Sequence, residues 1–343
     1  MSFHVRPARL DDLDAIYRMA QAGGGGLTNL PPVRDALAER LARSAAALER
    51  TDEGVADDRF VFALVDGEGG VHGTSQIFAK LGVGRPFYSY RLGAISQVSA
   101  ELGSTFRAEM LTLSTDLDGA SEVGGLYLEP AARSGGYGAL LARSRYLFIR
   151  SHRARFAERT IAELRGVIDD DGSSPFWDGL AGRFFAMSFR AADEFNAIHG
   201  NQFIADLMPK HPIYTALLPE TALAVMGVPH PSGRPAMRML EAEGFGFDNY
   251  LDIFDGGPTM NVMTDRIAAI RDARAAAVTA IGIGSDANAD GAVSCLIATG
   301  QLADFRAGLG RVVASGDGVA VDAEVAELLS LKLGDTITYV GKC

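Results

Sequence analysis

The stretch SEVGGLYLEPAARSGGYGALLARSRYLFIR, residues 121–150, decides how the chain folds. SEVGGLYLEP (121–130) is apolar and β-prone until Pro130 stops it, which predicts a strand. AARSGGYG supplies a glycine-rich turn. ALLARSRYLFIRSHRARFAE (139–158) then predicts a helix, with Leu140, Leu141, Tyr146, Leu147 and Phe148 at helical spacing. A strand, the run Arg133-Ser134-Gly135-Gly136-Tyr137-Gly138 with Ala139, and a helix make a pattern with a chemical use. Backbone N–H groups at a helix start converge on an anion, the helix dipole assists, and glycines admit a pyrophosphate where a β-carbon would clash. Two glycines after a strand also read as a plain turn. The spacing is not the dinucleotide fingerprint G-x-G-x-x-G, and the phosphate loop G-x-x-x-x-G-K-[ST] lacks its lysine.

Outward from this stretch, the elements alternate. FHVRPA (3–8) predicts a strand, and Asp11 or Asp12 can cap the helix DDLDAIYRMAQ. Gly23 to Gly26 and LTNLPP form a loop, followed by an amphipathic helix over 33–50. FVFALVD (60–66) and GTSQIFAKLG (73–82) predict a hairpin around Gly67 to Gly70. RTIAELRGVI (159–168) is the next strand. Residues from about 170 to 230 are rich in proline and aromatics and carry no clear period. RPAMRMLEAEG (234–244) predicts a short helix, and FGFDNYLDIFDG (245–256) a strand pair. After GGPT, the Ala-rich segment TDRIAAIRDARAAAV (264–278) predicts a helix, and the tail reads as short strands and turns. The pattern predicts an α/β or α+β domain with a substantial sheet. The expected division is a larger domain over 1–258, with an insertion at about 170–230, then a linker helix and small β-rich subdomain over 259–343.

Composition narrows the function. The 343 residues are 48% hydrophobic and 22% charged, and 32 basic against 43 acidic residues give a formal charge of −11. That balance argues against a broad basic footprint for nucleic acid or an anionic membrane. The two cysteines, Cys295 and Cys343, cannot build a disulfide framework or a cysteine-rich zinc site. No apolar run approaches the roughly 18 residues of a membrane span, and MSFHVRPARLDDLD has no signal-peptide core. A globular, soluble protein of the reducing cytoplasm, with no metal, is expected.

The R-x-x-G-x-G turn after a strand resembles the acyl-CoA-binding turn of the GNAT acyltransferase superfamily. The opening VRPARLDDLDAI and the close Leu240-Glu-Ala-Glu-Gly244-Phe245 fit that superfamily, in the expected order. The resemblance implies the α+β form, a mixed central sheet flanked by helices. It makes Ser134 to Ala139 the pyrophosphate cradle, with Leu126, Tyr127 and Leu128 along the pantetheine arm. Longer strings are more specific. PFYSYRLG (86–93), LSTDLDGASE (113–122), RTIAELRG, SPFWDGLAGRFF, FIADLMPKHPIY, HPSGRPAMRMLEAEGF and LDIFDGGPT together look like the arginine N-succinyltransferase family, over nearly the whole chain. This resemblance implies succinyl-CoA as cosubstrate and the α-amine of L-arginine as acceptor, in arginine catabolism. It assigns His230, in the H-P-x-x-R-P-A context, as proton donor, and Leu126 as a succinyl-CoA contact.

The residues suit that chemistry. Acyl transfer to an amine needs a neutral nucleophile, a held thioester, a polarised carbonyl and a proton for the leaving thiolate. GNAT enzymes often place the acid as a tyrosine four residues before the Gly-Phe pair. Here that residue is Leu240, so the acid must come from elsewhere, and His230 is the economical choice. A lone histidine beside prolines reads, without the family, as structural. Glu122 reads either as a base, direct or through water, or as a solvated or capping glutamate. Arg91 is a candidate for the substrate or succinyl carboxylate, the loop with Thr28 and Asn29 a candidate acceptor cover, and Asp116, Asp118 and Asp255 candidate guanidinium partners. Each reads equally as surface or turn chemistry.

Other signals carry less. Asp286-Ala-Asn288-Ala-Asp290-Gly291 starts like a calcium loop, but position twelve is Ile297. His199 and His211 lack zinc spacing, and Ser173-Ser174 has no hydrolase histidine. Phe184, Phe185 and Phe189 read as core. The alternatives that stay open are ornithine or another amine as acceptor, a catalytically silent binding subunit, and self-association or pairing with a paralogous subunit.

Overall fold

The computed structural model describes residues 2–22, 30–200, 202–283 and 291–341. The chain divides into two units. Unit 1 comprises Met1–Ala79, Val123–Glu158 and Met263–Cys343, and unit 2 comprises Lys80–Glu122 and Arg159–Val262.

In unit 1 the predicted hairpin forms, with strands Arg59–Val65 and Val71–Phe78 and a turn in which Asp66 accepts from the N–H groups of Glu68 and Gly70 at 2.9 and 2.8 Å. His4–Pro7 runs antiparallel beside Arg59–Val65. The helices Leu13–Ala22 and Arg34–Glu49 bury Ile16, Met19, Leu37 and Leu41 against Val61, Ala63 and Val65. Their apolar stripes supply that core, as the 3.6-residue period requires.

The strand Ser121–Leu128 leads, through a 3₁₀ turn at Pro130–Ala132, into the helix Tyr137–Ser151. That helix is buried on all sides from Leu140 to Ile149, arginines included. Arg143 donates to the Gly341 carbonyl at 2.9 Å and Arg145 to that of Gly124 at 3.2 Å, so neither cation is buried without acceptors. The helix stops at Ser151, seven residues before the predicted end at 158, because His152 turns into a separate 3₁₀ segment, Arg153–Arg155.

The tail forms a closed ring. Val293–Thr299, Thr336–Gly341, Arg274–Ile281, Gly318–Val321 and Arg306–Ser315 pair in that order, and the first also pairs the last. Closure removes the open edges of a small sheet. It also overturns the helix predicted over 264–278. Only Ala268–Asp272 is α-helical, and Arg274–Ile281 is a strand. Alanine favours helix locally, but ladders on both edges outweigh that preference.

In unit 2, Arg159–Glu163, Pro258–Met263, Gly246–Leu251, Ser89–Ser99, Ser104–Ser114 and Ile213–Tyr214 follow in sheet order. The first pairs in parallel with the start of Ser121–Leu128, through Ser121↔Thr160 and Glu122↔Ile161. The predicted strand pair over 245–256 is one strand, Gly246–Leu251. Residues after it coil around Asp252, whose carboxylate accepts from the N–H groups of Phe254 and Asp255 at 2.7 and 2.9 Å. Between 170 and 230 the described residues outside the strand Ile213–Tyr214 include several short helices near Trp177, which stacks on Phe254 at 5.6 Å and Phe185 at 5.7 Å. Phe189 is core, whereas Phe184 is 51% exposed and points out of it. No helix among the described residues is long and apolar enough to cross a membrane.

Candidate active site

In unit 1, Ser134, Gly135 and Gly136 are exposed, and Gly136 stands at φ +83° immediately before the helix Tyr137–Ser151. A side chain rarely adopts that left-handed backbone, so glycine is what permits the turn. At the helix start, Leu140 N–H reaches the Gly136 carbonyl at 3.0 Å. The N–H groups of Gly138 and Ala139 have no carbonyl four residues back within the helix, which leaves them for an anion. Arg133 turns back on the strand, its Nε donating to the Leu128 carbonyl at 3.0 Å, and so latches the turn to the strand end. Leu126, Tyr127 and Leu128 are half-buried along the strand leading in. The Tyr137 ring packs on Phe3 at 4.4 Å, and Phe3 meets His72 edge-on at 5.3 Å. His72 bridges Asp66 at 2.7 Å and Glu129 at 3.1 Å. The predicted cradle residues are thus brought together in one unit, at one helix start.

His230, Glu122 and Arg91 belong to unit 2. The backbone of His230 is pinned by its N–H to the Arg165 carbonyl at 2.8 Å, just beyond the strand Arg159–Glu163. Its Nδ1 accepts the Ser232 N–H at 3.2 Å and lies 2.7 Å from Ser232 Oγ. A backbone N–H can only donate, so the neutral ring carries its proton on Nε2, the edge free to donate. Burial, then the Arg165 charge, pushes the His230 pKa below the usual histidine value.

Glu122 is 3% exposed and pairs in register with Ile161. That burial removes the solvated-glutamate reading. Arg91 donates to the Tyr250 hydroxyl and lies over its ring, 4.7 Å from the centroid. Tyr250 in turn donates to Asp116 at 3.1 Å, and Asp116 stands 3.6 Å from Arg91. Burial first, then the bond to Asp116, raises the Tyr250 pKa. Asp118 is a turn residue that accepts the Phe87 N–H at 2.6 Å. Thr28, Asn29, Cys343 and the calcium-like run 286–290 lie outside the described residues. No metal-holding group of three or more His, Cys, Asp or Glu occurs among the described residues.

Sequence reading named Glu122 and Asp255 but missed Glu163 and Asp252, which complete a set of acids in unit 2. Glu163 is held far above the usual carboxylate range by burial and by the charges of Asp252, Glu122 and Asp255. Asp255 is likewise raised, by burial and Asp252, although it accepts the N–H groups of Gly166 and Gly257 at 2.8 Å each. A signal existed: one glutamate interrupts the apolar strand in RTIAELRG, and two aspartates flank the apolar pair in LDIFDGG.

A strand that runs into a glycine turn and an open helix N-terminus is the local arrangement expected of an acyltransferase that holds its donor by a phosphate group. The family model described as arginine N-succinyltransferase beta subunit matches residues 3–269, and that of its C-terminal domain residues 274–341. The chain belongs to the arginine N-succinyltransferase family and is an acyltransferase. A curated arginine N-succinyltransferase from Salmonella arizonae is 40% identical over 99% of this chain and 97% of its own. Another, from Enterobacter sp., is 39% identical over the same shares. The solved structure of arginine/ornithine succinyltransferase subunit AI from Pseudomonas aeruginosa superposes with a TM-score of 0.89, at 32% identity, covering 99% of this chain and 98% of that one.

Proposed function

We propose that the protein transfers the succinyl group of succinyl-CoA to the α-amine of L-arginine, giving N2-succinyl-L-arginine and CoA, as a step of arginine catabolism in the cytoplasm. The observation that carries this reading is the family match over both parts of the chain, together with an intact cradle at Gly136.

In this reading the N–H groups at Gly138 and Ala139 hold the pyrophosphate, and Leu126 to Leu128 guide the pantetheine arm. An α-amine has a pKa near 8 and is largely protonated at pH 7, so a base must take its proton. Glu122 takes that role, directly or through water. His230 serves the departing thiolate from Nε2. Full proton donation needs its imidazolium form, so an approaching anion that raises its pKa assists the step. Arg91 offers a carboxylate its guanidinium, in competition with Asp116.

Two observations favour further readings. The Pseudomonas relative is named for arginine and ornithine, which makes ornithine a second acceptor to test. The words subunit AI and beta subunit make a second copy or a paralogous chain a partner to look for. A thiol-release assay with succinyl-CoA and arginine, ornithine, lysine and agmatine decides among them. Release with arginine and none with agmatine is the expected result. Release with no amine, despite CoA binding, refutes the catalytic reading in favour of a silent subunit.

A further inference from the structure

We propose that Glu163, Asp252 and the Tyr90 hydroxyl of unit 2 form the pocket that holds the guanidinium of the acceptor, with Asp255 as a positioning residue; this rests on the arginine reading above. Glu163 lies at the end of the strand Arg159–Glu163, and Asp252 follows the strand Gly246–Leu251. Asp255 fixes the loop between them. Its two oxygens take the N–H groups of Gly166 and Gly257 at 2.8 Å each, while its own N–H goes to Asp252 at 2.9 Å. Glu163 and Asp252 are partly exposed, whereas Asp255 is 8% exposed, so the set opens to solvent through the first two.

The independent observation is Tyr90. It is 1% exposed, sits opposite Leu251 in register, and its hydroxyl has no hydrogen-bond partner. The charge it senses is that of Asp252. A buried hydroxyl without a partner costs on the order of 1–3 kcal/mol, so its persistence next to an acid points to a group that arrives later. The acids call for the same group. Among the described residues no Lys, Arg or His forms an ion pair with Glu163, Asp252 or Asp255. The other charges facing them are Glu122, Asp193 and, toward Asp193, Arg165. Gathered carboxylates without a cation are unfavourable until one binds or some take up protons.

The ligand chemistry that answers this is a guanidinium. Its flat fork offers five N–H donors to carboxylate and phenol oxygens, and it stays charged at any pH of interest. An ammonium fits less well. The amine that attacks a thioester must be neutral, and a nest of acids holds an amine protonated. The set therefore suits the far end of the acceptor and not its reacting end.

The test compares wild type, Glu163→Gln and Tyr90→Phe with arginine, citrulline and ornithine as acceptors. Citrulline matches arginine in shape but carries a neutral ureido group. Glu163→Gln is expected to raise the KM for arginine about 30-fold and that for succinyl-CoA less than twofold, since a hydrogen bond to a charged group is lost. It should also bring citrulline close to arginine in kcat/KM. Tyr90→Phe, which deletes one atom, should raise the KM for arginine about fivefold, and it decides the matter should Glu163→Gln fail to fold. An unchanged arginine KM in the variants, or unchanged discrimination against citrulline, overturns the proposal while leaving the succinyl transfer intact. Should wild type acylate no amine, arginine-induced thermal stabilisation separates the two ideas. Its loss in Glu163→Gln supports a guanidinium pocket, and an equal shift in both proteins refutes one.

Discussion

At Gly136 the backbone stands at φ +83°, and any other residue there carries about 1–2 kcal/mol of strain before a ligand is considered. Gly136→Val therefore mixes two losses, in the fold and in the cradle. Gly138 separates them. A Cβ built there meets nothing nearer than Leu128 Cδ2 at 3.9 Å, and alanine favours helix over glycine by up to about 1 kcal/mol. Gly138→Ala should leave the Tm equal or higher while weakening CoA binding about tenfold, read by calorimetric titration, because its methyl group would stand where the proposed cradle takes the pyrophosphate. At His230 the expected loss is in turnover. His230→Ala should lower kcat about 100- to 10,000-fold with little change in the KM for succinyl-CoA. An NMR titration of the free protein should place the His230 pKa below 6.5, since burial and Arg165 both disfavour the imidazolium.

Among the elements, the loop after Gly246–Leu251 holds the acids by close backbone approach. A Cβ on Gly257 would stand 2.1 Å from the Leu164 carbonyl oxygen and 2.6 Å from Gly166 N, distances that require the strands to separate. Gly257→Ala should cost about 2–4 kcal/mol in urea unfolding and raise the KM for arginine, because the displaced loop carries Asp252 and Asp255. The cap of the helix Pro175–Gly179 is a smaller matter. Ser174 accepts the Trp177 N–H at 3.3 Å, and Ser174→Ala should cost about 1 kcal/mol without changing either KM. Elements of this kind were unevenly legible. The hairpin over 59–78 was readable because a continuous apolar, β-prone run and a second β-prone segment flank an Asp-Gly-rich turn. The long hairpin Ser89–Ser99 with Ser104–Ser114 was not read, since its exposed outer half mixes small, polar and apolar residues without a clean period.

For the whole molecule, two histidines of unit 1 set opposing pH dependences. Burial, then the Arg155 charge, lowers the His152 pKa to about 4, while its Nε2 accepts the Leu302 N–H at 3.2 Å. A depressed histidine pKa gives stability that is full above the unfolded value near 6.5 and declines as pH falls from there toward 4. His72 has the other sign. Burial lowers its pKa, but the bonds to Asp66 and Glu129 prevail and raise it above 6.5, so its stability is present below 6.5 and fades as pH rises through the raised value. Thermal unfolding between pH 4 and 8 should show both limbs. His152→Gln should flatten the acid limb by a few degrees of Tm, and His72→Gln the alkaline one.

Through resemblance the sequence named the family and, with the tyrosine missing at Leu240, His230 as the candidate acid; by itself it determined the strand, glycine turn and helix of the candidate cradle. These rest on neighbours in the chain, where spacing fixes geometry. Only the tertiary structure decided the rest. It made a strand of Arg274–Ile281 by pairing both its edges, and it closed the tail into a ring. It also gathered Glu163, Asp252, Asp255 and Tyr90 from three separate segments of unit 2. A carboxylate's neighbours across a sheet set its charge state and its ligand, and those neighbours lie up to 165 positions away along the chain, from Tyr90 to Asp255.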